Sequence, residues 1–114
     1  MINWRFYRRA ITLDRNTSTT QISRRTADKV FTGANGIHAE HGVTDEHAEE
    51  AAVNQALARQ ARQRILVVDH TKFGKIARCL VCPIREVNMI VTDSGATDEM
   101  IAPFQKLGIE VRRV

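Results

Sequence analysis

The chain has 114 residues, 43% of them hydrophobic and 26% charged, with a formal net charge of +4; that is room for one domain around a single core. No uninterrupted apolar stretch approaches the roughly 18 residues that cross a bilayer, and MINWRFYRRAITLDR lacks the apolar centre of a secretory signal, so a cytoplasmic chain with no membrane partner is expected. Cys79 and Cys82 are too few and too close for the disulfide framework of a secreted scaffold.

The positive charge is unevenly placed. In residues 1–26, Arg5, Arg8, Arg9, Arg15, Arg24 and Arg25 stand against Asp14 alone, so this segment is more basic than the whole chain and the remainder is slightly acidic. Residues 14–26, DRNTSTTQISRRT, carry neither a helical nor an alternating apolar pattern and read as linker or disordered. Residues 27–114 form the folded part. A β-favouring run at Lys29 to Thr32 leads into a turn with Gly33, Asn35 and Gly36, residues that tolerate positive φ.

Thr44 or Asp45 is expected to cap a helix running to about Arg64, with Glu46, Glu49 and Glu50 early and Arg59, Arg62 and Arg64 late, an order that suits the helix dipole. Val53, Ala56, Leu57 and Ala61 give it an apolar stripe to lay on a sheet. ILVVD, Ile65 to Asp69, reads as a strand buried on both faces. Cys79 to Cys82 and Met89 to Thr92 are further strands, separated by a turn or short helical piece at Pro83. Thr97 or Asp98 begins a last helix, stopped by Gly108, and IEVRRV closes the chain as a strand. The expected order is β, α, β, β, β, α, β, an α/β fold with a mostly parallel sheet and flanking helices.

Ligands of open parallel sheets bind beyond the carboxyl ends of the strands, which directs attention to GANGIHAEHGVT (33–44), DHTKFGK (69–75) and TDSGAT (92–97). Glycine-rich turns let backbone amides approach an anion. Asp69 and Lys72 are close enough in sequence to face one small polyol or its phosphate, with Lys72 as the point charge. Each feature also has a plain structural reading: the glycines as turns, Asp69 and Thr44 as caps, Lys72 as a solvated cation, and Asp93 as a turn former. His38, His41 and His47 with the cysteine pair invite a zinc reading, but no second CxxC and no histidine pair at ligand spacing follows. A metal is not expected, and the cysteines read as structural.

Taken in order, DKVFTGANGI, EHGVTDEHAEEAAVNQAL, ILVVDHTKFGK and NMIVTD resemble the effector domain of the DeoR family of bacterial sugar-operon regulators, over residues 27–114. The resemblance implies a fold similar to ribose-5-phosphate isomerase and the coenzyme A transferases, used to bind a phosphorylated sugar or sugar alcohol, with no catalytic residues and no cofactor. The positions matching the family's motifs, and so expected to bind effector, are Gly33, Asn35, Gly36, Glu40, His41, Gly42, Thr44, Glu50, Asp69, Lys72, Phe73 and Asp93. Intact members are expected to be homo-oligomers that reach operator DNA through a helix-turn-helix. Neither that element nor the family's early glycine- and threonine-rich loop is visible here, so a truncated or rearranged product, with weaker effector affinity, is expected. The alternatives are an isomerase-like enzyme using the same Asp and Lys as acid and base, nucleic-acid binding through the aromatic and arginine residues of the N-terminus, and an inactive gene remnant.

Overall fold

The computed structural model describes residues 27–59 and 61–114; the linker reading of residues 14–26 lies outside them. Among the described residues seven strands and two helices follow one another: β1 (Ala27–Thr32), β2 (Gly36–His38), β3 (Gly42–Asp45), α1 (Ala48–Arg59), β4 (Ala61–Val67), β5 (Cys79–Cys82), β6 (Met89–Thr92), α2 (Asp98–Lys106) and β7 (Glu110–Arg113). Single 3-10 turns at His70–Lys72 and Ile84–Glu86 lead out of β4 and β5.

The strands form two sheets. β1, β4, β6 and β7 pair in parallel, in the order β1-β4-β6-β7. Consecutive residues of a strand face opposite ways, and the run ILVV is apolar throughout because both faces are covered. Leu66 and Val68 join one cluster with Ile90, Ile37, Val43, Val81 and Phe104, while Ile65 and Val67 join another with Phe31 and Val91. Burying each such side chain is worth about 1.5–3 kcal/mol relative to exposure. The expected α/β class and parallel sheet are therefore present.

The second sheet is antiparallel, in the order β2-β3-β5. Here the structure corrects the sequence reading. Residues 33–44 are largely a hairpin rather than a loop, and Cys79–Cys82 pairs with that hairpin instead of extending the parallel sheet. Short strands with glycine at their starts and only three or four residues apiece leave little periodic signal.

The first helix differs as well. Thr44 and Asp45 belong to β3, not to a helix cap, since both side chains are engaged inside the fold. The helix stops at Arg59, and Ala61 to Arg64 continue as β4 alongside β1, in register from Ala27↔Ala61 to Thr32↔Leu66. Ala, Arg and Gln are good helix formers, so here the ladder to β1 overrides local propensity. The expected stripe faces the wrong way too: Val53 is 58% and Leu57 42% exposed. The body is met by Ala51, Asn54, Gln55 and Ala58, the same three- and four-residue spacing one step round the helix. Asn54 and Gln55 reach Asp45 and the Leu80 carbonyl, so polar bonds select that face.

The second helix is as expected. Thr97 caps it, its Oγ1 accepting from the Met100 amide at 3.2 Å. Gly108 ends it at φ +85°, with Ile109 N–H donating to the Phe104 carbonyl at 3.2 Å and Gly108 N–H to that of Gln105 at 2.9 Å, the paired bonds of a Schellman ending. No helix among the described residues is long and apolar enough to cross a membrane.

Candidate functional site

Because β1, β4 and β6 are parallel neighbours, their carboxyl ends place Gly33, Asp69 and Asp93 along one rim of the sheet. After β4 the chain turns at once. The Asp69 carboxylate accepts the Thr71 amide at 2.8 Å and also the Thr71 hydroxyl, capping the 3-10 turn that carries Lys72. Burial works against its ionisation, but the two Thr71 donors, with Lys72 and His70 nearby, outweigh that and hold the carboxyl below its ordinary range. Asp69 is thus an anion in a half-buried position. Lys72 lies close enough to act on it electrostatically, although no ion pair joins the two among the described residues.

The neighbouring loop is tied to this turn. Asp93 accepts the Gly95 amide at 3.0 Å, and its two oxygens stand 2.9 and 3.2 Å from His70 Nδ1. The His70 and Asp93 side chains remain 43% and 29% exposed. Gly95 lets the ring in, since a Cβ there would come within 2.5 Å of His70 Nδ1. His70 was not singled out in the sequence, although its place directly after Asp69 puts it on the same turn.

The rest of the β4 loop is stitched to the hairpin. Gly74 N–H donates to the Ile37 carbonyl at 2.7 Å, and Ala77 N–H to Thr44 Oγ1 at 2.8 Å. The Lys75 carbonyl sits where a Cβ of Gly36 would fall, 2.4 Å away. Phe73 turns inward, its ring edge-on to Phe104 at 5.4 Å. Gly36, Thr44 and Phe73 therefore fix the loop in position.

Below them lies a buried polar network. Asp45, 2% exposed, accepts the Asn35 amide at 3.3 Å and Asn54 Nδ2 at 2.8 Å, while Asn35 Oδ1 accepts the Glu46 amide at 2.8 Å. Burial pushes the Asp45 carboxyl up, the bonds from Asn54 and Asn35 oppose this, and Glu50, across on the first turn of α1, adds to the rise. The sequence offers Asp45 only as an alternative to Thr44 for a helix cap; nothing in a TDEH run announces a buried carboxylate.

Of the twelve expected positions, Gly33, Asp69, Lys72 and Asp93 share the rim, with Asn35 at its edge. Glu40, His41 and Gly42 lie at the hairpin turn, where His38 Nδ1 accepts the amides of Glu40 and His41 and Gly42, at φ +88°, packs against the Cys82 carbonyl. Glu50 is exposed. The described residues hold no group of three or more His, Cys, Asp or Glu side chains placed for a metal ion.

The rim of the parallel sheet thus carries a carboxylate fixed by Thr71, the Lys72 ammonium on the same turn, and glycine-bearing turns beside them. Residues 7–94 match the DeoR C terminal sensor domain family, and the chain belongs to that family. The match takes in part of the basic N-terminal segment and ends just after Asp93. Among similar proteins, the HTH-type transcriptional regulator GolR of Listeria innocua is 28% identical over 86 residues, which is 75% of this chain and 34% of that protein. The putative aga operon transcriptional repressor of Escherichia coli O157:H7 is 29% identical over 84 residues, 74% of this chain and 31% of that one. The deoxyribose operon repressor of Escherichia coli K12 is 32% identical over 84 residues, 74% and 33%. The chain spans about a third of the length of these relatives, which are named as regulators or repressors of transcription and operons.

Proposed function

We propose that this chain is the effector-sensing part of a cytoplasmic repressor of a sugar or sugar-alcohol operon, and that its effector is a phosphorylated sugar or sugar alcohol bound at the rim. The ionised Asp69 carboxylate, fixed by Thr71, accepts hydroxyl hydrogens of the polyol. Lys72 supplies the charge for the phosphate, and Gly33 permits close approach of the backbone. Asp93 and His70 close the other side. Gly36, Thr44 and Phe73 hold the loop that carries the ligand groups. The single observation that carries this reading is the placing of the Asp69–Lys72 turn beside the His70–Asp93 pair at the carboxyl end of the sheet.

Operator DNA is reached through a helix-turn-helix outside these 114 residues, and the whole regulator works as a homo-oligomer, for which the exposed Val53, Leu57 and Leu80 offer apolar surface. The test is calorimetric titration with pentose, hexose and alditol phosphates. One of them should bind without turnover, and Lys72→Ala should weaken it by about tenfold or more, the loss of a charge-assisted contact. Turnover of any sugar phosphate, or binding indifferent to Lys72, would count against the proposal.

A further inference from the structure

Arg64 is a cation in the interior of a parallel-sheet strand. It is 4% exposed. Its Nη2 donates to the Asn54 carbonyl at 2.8 Å, whereas Nε and Nη1 are buried and meet no acceptor. Buried polar groups are hydrogen-bonded in the great majority of cases, and a desolvated charge without a partner is costlier still. Asp45 is near enough to feel the guanidinium, but its oxygens are taken by Asn35 and Asn54, and no ion pair joins it to Arg64 among the described residues.

Arg64 lines a cavity of about 320 Å³ whose walls also include Gln55, Arg59, Cys82, Pro83 and Glu86. That volume is at the small end of pockets that hold metabolites. Two arginines face one carboxylate there, Glu86, which is exposed. Burial pushes the Cys82 thiol up although the neighbouring Arg64 guanidinium, by its charge and a side-chain contact, pulls the other way, so the thiol stays neutral and adds no negative charge. The cavity is remote from the rim: Arg64 precedes Asp69 by five residues of extended chain, about 16 Å.

We infer that this cavity is a second ligand site, taking the oxyanion of a small molecule, phosphate or carboxylate, on Arg64 with Arg59 at its mouth. Guanidinium donors match both groups geometrically, and Arg64 lines the cavity with two of its N–H groups left unpaired by the fold.

Thermal unfolding of the full chain at constant ionic strength, with chloride exchanged for inorganic phosphate or for succinate, reads the site. At least one of the two anions should raise the transition temperature saturably. Arg59→Gln, a change at an exposed position, should weaken the apparent affinity of one saturable component by about tenfold, Arg64→Met should abolish that component, and Lys72→Ala should retain it. A response to phosphate alone assigns a phosphate ester, and one to succinate alone a carboxylic acid. The inference is overturned if neither anion produces a saturable rise, or if the rise survives Arg59→Gln and Arg64→Met but disappears in Lys72→Ala, which would place all anion binding at the rim.

Discussion

Asp45 and Asp69 are both aspartates at the carboxyl end of a strand run, and the fold drives them in opposite directions. Asp45 sits under the hairpin, almost wholly buried, and its carboxyl is pushed up because desolvation outweighs the bonds from Asn54 and Asn35. Asp69 stands at the rim, where the donors of Thr71 and the charges of Lys72 and His70 overcome a smaller burial and keep it ionised. The difference separates two jobs. A carboxylate whose oxygens are filled by protein groups holds structure, and one left half-exposed with capacity to accept more is available to a ligand.

The contrast can be broken most sharply by removing the buried member. Asp45→Ala takes the acceptor from Asn35 and Asn54 and leaves Arg64 without its nearby negative charge. A loss of about 3 kcal/mol in urea unfolding is expected. Gly36→Ala tests the packing that holds the rim loop: its Cβ would meet the Lys75 carbonyl at 2.4 Å, and because backbone must shift, about 1–3 kcal/mol should be lost.

The pH dependence sharpens the comparison further. Asp45, raised above its ordinary 3.8, binds its proton more tightly folded than unfolded, so its contribution is present below that value and lost as pH rises through the raised pKa. Asp69, lowered from 3.8, contributes above that value and loses its contribution as pH falls through the depressed pKa. Stability profiles of Asp45→Asn and Asp69→Asn should therefore depart from wild type with opposite slopes in the acid range. The smallest effect belongs to Lys72→Ala, expected to change stability by less than about 0.5 kcal/mol while reducing effector binding.

What could be read from sequence follows the strength of each local signal. Ile65 to Val68 and Met89 to Thr92 are dense apolar runs between turn residues, and both fall on strands, β4 ending at Val67 and β6 at Thr92. Thr97 and Gly108 bracket the last helix because capping chemistry is local. The first helix misled on both counts that depend on distant partners. Ala61 to Arg64 become strand through pairing with β1, and the docking face is chosen by Asn54 and Gln55 reaching Asp45 and Leu80, bonds that no periodicity announces.

The site divides in the same way. The shared rim position of Asp69, Lys72 and Asp93 is legible because parallel strands gather their carboxyl ends, whatever else the fold does. His70 was not singled out, since its meaning comes from Asp93, 23 residues later. Arg64 was placed at a helix end, and only the strand that replaces that end buries it. Glu40 and His41 read as part of one loop with Gly33, and the hairpin carries them to its turn.

The rim assignment is tested most directly by following backbone amide resonances during titration with the sugar phosphate that binds tightest. Perturbations concentrated at Gly33 to Asn35, Asp69 to Phe73 and Asp93 to Ala96 are predicted. Saturable binding that leaves those amides unmoved, with its shifts elsewhere in the protein, would contradict the account.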